Sequence, residues 1–207
     1  SGTSVLVENV FENRYGHAGD LNRMGADVLI MPCNTAHYFH KRVAETVNKP
    51  LLNMLEETAK FAREKGISKV GLLATDGTIQ SGGYADAFKK EGICVYMPSV
   101  ENQKAVMGVI YDGVKAGNYS LDLSGFNSAM DELFACSAET LVLGCTELPV
   151  AFDMFHIDRP HIDPTLILAA AAVKFVGGKL KDQLYHGGSF GIRFHSTIGT
   201  LAITVGA

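Results

Sequence analysis

Apolar positions along this chain alternate between short unbroken runs and longer stretches spaced every third or fourth residue. The runs Val28 to Met31, Lys69 to Ala74 and Ile93 to Met97 have the length and β-branched content of buried strands. Between them, Thr35 to Val47 has the length of a helix, closed by Pro50, and Leu51, Leu52, Leu55, Ala59 and Ala62 follow helical spacing until Lys65-Gly66. Thr75-Asp76-Gly77-Thr78 reads as a strand-to-helix turn. Tyr84 to Lys90 reads as a helix ended by Gly92, and Val106, Val109, Ile110 and Val114 mark another, closed by Gly117. Phe126 to Cys136 is predicted helical, and Leu166 to Val176 is an alanine-rich helix that Gly177-Gly178 should terminate. Strand and helix in alternation predict an α/β fold with parallel sheets flanked by helices, whose ligands sit beyond the carboxyl ends of the strands. The ends of the chain are less regular. They offer one short apolar run, Val5 to Val7, and a strand-like tail, Thr200 to Val205.

Two octapeptides stand out in this pattern, Ala26 to Cys33 and Ala138 to Cys145. Each is an apolar strand that ends in cysteine. Hydrogen-bonding side chains come directly after each thiol, in Asn34-Thr35-Ala36-His37 in one case and Thr146-Glu147-Leu148-Pro149 in the other. Both cysteines therefore occupy the turn between a strand and the start of a helix. A free thiol is only about 3% thiolate at pH 7, but a helix N-terminus can lower its pKa toward ~7, and amides there also dock a carboxylate. Two such thiols suit proton abstraction from a carbon next to a carboxylate, one acting as base and the other as acid on the opposite face. Sulfurs that each approach the carbon to about 3.5 Å lie roughly 7 Å apart, too far for a disulfide. Cys94 and Cys136 lack such flanks and read as small core residues.

Composition narrows the function classes. The 207 residues are 47% hydrophobic with net charge -4, which leaves no basic face for nucleic acid. No stretch approaches the roughly 20 apolar residues of a membrane span, and no secretory leader is visible, so the expected setting is cytoplasmic. The cysteines are too scattered for a disulfide framework, and no zinc spacing appears, so no metal is expected.

The sequences Met31-Pro32-Cys33-Asn34-Thr35-Ala36-His37 and Leu143-Gly144-Cys145-Thr146-Glu147-Leu148-Pro149 resemble the two cysteine motifs of the aspartate/glutamate racemase family. Pro50 to Met54, Leu73 to Thr78, Ile110 to Gly117 and Ile162 to Thr165 resemble further family stretches in the same order. The tail of the second motif is closer to the aspartate and broad-specificity branch. The resemblance implies two similar lobes with the active site between them, residues 1–49 and 157–207 forming the first and 50–156 the second. It also implies racemisation without pyridoxal phosphate or any other cofactor, and a homodimer acting on a small amino acid.

By the same match Cys33 and Cys145 are the two bases. Asn34, Thr35 and Thr146 hold the α-carboxylate and amine, Thr78 closes the carboxylate site, and Lys115 faces the side-chain carboxylate. Glu147 orients the second thiol or the amine. Blander readings stand beside these: Asn34 and Thr35 as helix caps, Lys115 and Glu147 as complements to helix dipoles, and His37 as a structural hydrogen-bonding group. The glycine-rich turn and arginine loop with which the family usually opens have no counterpart, since Arg14, Arg23 and Arg193 sit in no matching motif. A fragment is the favoured explanation, over a circular rearrangement that brings in the tail strand or an unrelated tail. A small-dicarboxylate isomerase or decarboxylase, or a binder of carboxylates without turnover, are the alternative functions; a redox dithiol ranks last.

Overall fold

The computed structural model describes residues 27–185, 191–197 and 200–206, with side chains described as far as Phe175. The Val5 to Val7 run, Arg14, Arg23 and the side chain of Arg193 lie outside this. In chain order come β1 (Val28–Ile30), a 3-10 turn (Thr35–Phe39), α1 (His40–Ala44), β2 (Leu51–Leu52), α2 (Met54–Glu64), β3 (Lys69–Ala74), α3 (Asp76–Gln80) and α4 (Gly83–Lys90). Next are β4 (Cys94–Tyr96), α5 (Val100–Gly108), a π-helical continuation (Val109–Lys115), α6 (Ser124–Ala135), β5 (Thr140–Gly144), α7 (Glu147–Met154), β6 (His161–Ile162), α8 (Pro164–Tyr185), β7 (Gly191–Thr197) and β8 (Thr200–Gly206). These elements form two compact units, one up to Met54 and again from Thr165, the other Leu55–Pro164.

The first unit holds a four-stranded sheet in the order β2-β1-β8-β7. β1 is fully buried and pairs in parallel with β2, Leu29 opposite Leu51 and Ile30 opposite Leu52. On its other edge β1 runs antiparallel to β8, with Leu29 opposite Ala202, and β7 and β8 are antiparallel to each other. This sheet is therefore mixed, because consecutive strands joined without a crossover helix must run antiparallel. Leu51 and Leu52, expected to open a helix, belong to a strand: an apolar pair fits either period, and pairing beside β1 decides the matter. The stretch after Cys33 is likewise not one helix but a 3-10 turn continued by the short α1. Phe39 and Val43 pack there with Val47 and Leu51.

The second unit carries an all-parallel sheet in the order β4-β3-β5-β6. Its two central strands are buried along nearly their whole length, which explains their continuous apolar sequence. One face of this sheet packs on α5, its π continuation, α6 and α7 through Val106, Ile110, Phe126, Met130, Leu133 and Phe152, all buried. Each such side chain contributes about 1.5–3 kcal/mol relative to exposure. Close approach has its own requirement at Gly144. A Cβ there would lie 2.9 Å from Leu72 Cδ1, 3.0 Å from Ala74 Cβ and 3.1 Å from the Leu73 carbonyl oxygen. The residue before the second thiol thus has to be glycine for β3 and β5 to lie together. The predicted helix stops at Gly66, Gly92 and Gly117 all adopt positive φ, as such stops require.

Two further expectations are corrected here. Gly177-Gly178 does not end the last helix, which continues to Tyr185. Two glycines cost only about 1 kcal/mol each in a helix, and the residues beyond them, rich in leucine and lysine, favour continuation. Cys94 and Cys136 are exposed rather than in the core. Cys94 starts the sheet-edge strand β4 with its side chain on the solvent side of the alternation, and Cys136 sits in the C-cap of α6, past the last buried turn.

Candidate functional site

Cys145 leaves the sheet one residue past β5 and two before α7. Because Ala74 pairs with Gly144, Thr75 and Cys145 step off neighbouring parallel strands at the same level. Strands lie about 4.8 Å apart, so the turn after β3 borders the turn that carries the thiol. Thr75 caps α3 by accepting the Thr78 N–H at 3.3 Å, and the two hydroxyls are 3.0 Å apart with Thr78 fully buried. Gln103 on α5 steadies the same turn. Its amide nitrogen donates to the Ala74 carbonyl at 3.0 Å and to Asp76 Oδ1 at 2.8 Å.

The thiol itself is buried and donates to Glu147 Oε2 at 2.9 Å. The Thr146 hydroxyl donates to the same oxygen at 3.0 Å, and Lys115 Nζ stands 3.6 Å from Oε1. Lys115 reaches this point from the end of the π-helical segment, which packs on α7, and its ammonium also lies 4.2 Å from the Tyr111 ring centroid. A π-helical turn inserted into a longer helix commonly marks a functional position. Glu147 is therefore the hub of a cluster comprising Cys145, Thr146 and Lys115, four of the residues expected at the site.

Electrostatics at this cluster depart from expectation. Burial pushes the Cys145 thiol up, the hydrogen bond to the Glu147 carboxylate pushes it further, and together they take it from 9.0 to about 12. The first-turn amide of α7 and the Lys115 charge pull the other way and are outweighed. So the expected lowering by a helix N-terminus is present but does not prevail, and the sulfur rests as a thiol. Burial raises the Glu147 carboxyl too, yet the hydrogen bonds from Cys145 and Thr146 leave it below its ordinary value, hence ionised.

Sequence reasoning missed two further groups in this unit. Tyr84, on α4, is fully buried, and burial holds its phenol well above the usual value, reinforced by the charges of Asp163 and Cys145. Asp163 lies inside one of the resembling stretches, which signalled it without giving it a role. A tyrosine at the start of a helix carries no such signal.

In the first unit, Pro32 is the centre of a three-residue turn closed by the Cys33 N–H on the Met31 carbonyl at 2.8 Å. Cys33 is partly exposed, Asn34 is buried and Thr35 is exposed at the start of the 3-10 turn. Asn34 occupies the cap position but its side chain makes no capping hydrogen bond, so the plain capping role does not apply. His37 is buried and bonds backbone groups at both ring nitrogens, to the Cys33 carbonyl at 2.8 Å and the Met54 amide at 3.0 Å. Among the described residues no group of His, Cys, Asp and Glu could hold a metal ion, and no helix is long and apolar enough to cross a membrane.

Comparison with known proteins places these residues in context. The family description Asp/Glu/Hydantoin racemase matches residues 14–172. The broad-specificity amino-acid racemase RacX of Bacillus subtilis is 26% identical over 153 residues, which cover 74% of this chain and 66% of that protein. The aspartate racemase of Picrophilus torridus superposes with a TM-score of 0.60 at 29% identity, over 75% of this chain and 64% of that one. A candidate Asp/Glu racemase from Yersinia pestis gives 0.73 at 26% identity, over 84% and 76%. The chain spans 56% and 51% of two curated glutamate racemases, from Persephonella marina and Aquifex pyrophilus.

Proposed function

The chain belongs to the Asp/Glu/hydantoin racemase family, and on that premise we propose that it inverts the α-carbon of aspartate or a related small acidic amino acid, with Cys33 and Cys145 as its two proton-transferring thiols. The observation that carries this reading is the state of Cys145: a buried thiol kept protonated against an ionised Glu147. A thiolate at Cys33 removes the Cα proton, and the Cys145 thiol delivers its own proton to the opposite face. The product leaves with inverted configuration, Cys33 as thiol and Cys145 as thiolate. A thiol of high pKa gives a correspondingly stronger base once deprotonated, which serves the return direction. Lys115 and the substrate ammonium offset the second negative charge that then stands beside Glu147.

In this reading Asn34, Thr35 and Thr146 hold the α-carboxylate and amine, Thr78 completes the carboxylate site, and Lys115 meets the side-chain carboxylate. No cofactor or metal takes part, and the working form is a cytoplasmic homodimer. Incubation with L-aspartate in deuterium oxide, with chiral chromatography and mass spectrometry of the products, tests the chemistry. Deuterium should enter Cα with inversion, and Cys33→Ser or Cys145→Ser should reduce racemisation by roughly a thousandfold or more. Racemisation that survives either substitution overturns the two-thiol assignment.

A further inference from the structure

His37 and His40, neighbours on one face of the turn after Cys33, reach the two ends of the β2-to-α2 segment, His40 at β2 and His37 at the first residue of α2. His37 Nδ1 is 2.8 Å from the Cys33 carbonyl oxygen and Nε2 is 3.0 Å from the Met54 backbone nitrogen. His40 Nε2 lies 3.1 Å from the Leu51 carbonyl oxygen, and the two rings stack with centroids 5.4 Å apart and 12° between their planes. The chemistry of these partners fixes the proton on His37. A carbonyl oxygen can only accept, so Nδ1 must donate; an amide N–H can only donate, so Nε2 must offer its lone pair. His37 is thus the neutral Nδ1–H tautomer.

We propose that His37, in this tautomer, is a positioning residue for Cys33. Its ring ties the peptide from which the thiol projects to the first residue of α2. A second restraint beside Cys33 is the tight turn through Pro32, whose hydrogen bond lies on the strand side of Cys33. His37 supplies the restraint on the far side, and its stacking on His40, itself anchored to β2, holds the ring plane. Substrate contact is not part of this role: the ring is buried and both nitrogens are committed to backbone. The inference builds on the assignment of Cys33 as a proton-transferring group, but its tests do not depend on turnover.

Two-bond nitrogen–proton spectra of the intact chain labelled with 15N-histidine should show an imidazole protonated at Nδ1 and bare at Nε2 whose signals are absent from the His37→Asn variant. Competitive labelling with iodoacetamide, read by mass spectrometry against the exposed Cys94 and Cys136, gives the second measurement. His37→Ala should raise the relative rate at Cys33 by roughly threefold or more as its peptide loosens. His37→Asn, whose amide nitrogen falls near Nδ1 but which offers no acceptor to the Met54 amide, should restore the rate only in part, to a value between those of His37→Ala and the unsubstituted chain. An Nε2–H tautomer or an imidazolium at His37 itself, identified by the signals lost in His37→Asn, overturns the proposal, as does a relative rate at Cys33 that is unchanged or slower in His37→Ala. The spectra decide the question alone if that variant fails to fold. Racemisation surviving Cys33→Ser would instead remove the catalytic reading and leave both results standing.

Discussion

Cys145 and Glu147 share one proton across 2.9 Å, and the balance of groups around that bond sets the reactivity of the sulfur. Sequence made the pair visible, because a cysteine with an acid two residues later at a helix start is a recognisable pattern. It could not show that burial would outweigh the helix N-terminus, since burial of a turn residue depends on what packs over it. The carboxylate's share of the effect is testable. Removing its charge while keeping a hydrogen-bond acceptor should make the thiolate easier to form, so Glu147→Gln should lower the alkylation midpoint of Cys145 from about 12 by about one pH unit. Lys115→Met should move it the opposite way, because the ammonium favours the thiolate. Rates of iodoacetamide labelling at Cys145 between about pH 8 and 9, where the rate follows the small thiolate fraction, read both as a faster and a slower reaction, and an unchanged rate in Glu147→Gln would assign the whole effect to burial.

At the scale of elements, what the sequence disclosed and what it hid divide on physical grounds. β3 and β5 were legible because strands buried on both faces must be continuously apolar, and the helices ending at Gly66, Gly92 and Gly117 were legible because only glycine takes those positive φ values cheaply. β2 was hidden because two leucines fit any period. The π-helical turn that ends at Lys115 was hidden because its apolar residues, Val109, Ile110 and Val114, are spaced as in an ordinary helix, and Gly113 within it lets Leu121 and Phe155 approach closely. The last helix is the converse case: its glycine pair reads as a stop, yet the cost of two glycines is too small to end it. A Cβ at Gly177 would meet nothing within 4 Å, so Gly177→Ala should stabilise the chain by about 0.5–1 kcal/mol, read as a raised midpoint in urea. A loss of stability there would mean that the helix does break at Gly177 as its sequence suggests.

For the molecule as a whole, two of the described groups held far from their ordinary pKa belong to the same compact unit. Cys145 and Tyr84 both belong to the second unit, and both are pushed up by burial before any other cause. An acid whose folded pKa is raised above its unfolded value binds its proton more tightly in the native state. Its contribution is complete below the unfolded pKa and is lost as pH climbs through the folded one. For Cys145 that window opens near 9.0 and closes at about 12, and Tyr84 adds to the loss from its ordinary 10.0 upward. Stability should therefore fall steeply with pH above 9, and the second unit should be where alkali acts. Unfolding monitored by far-ultraviolet circular dichroism, with tyrosinate absorbance recorded in parallel, should show Tyr84 ionising only as structure is lost. Cys145→Ser and Tyr84→Phe each delete a group that must lose its proton on unfolding at high pH, so each should flatten the fall of stability with pH. If neither substitution changes that slope, the alkaline loss of stability comes from general charge repulsion, and the burial of these two groups is not what limits the fold.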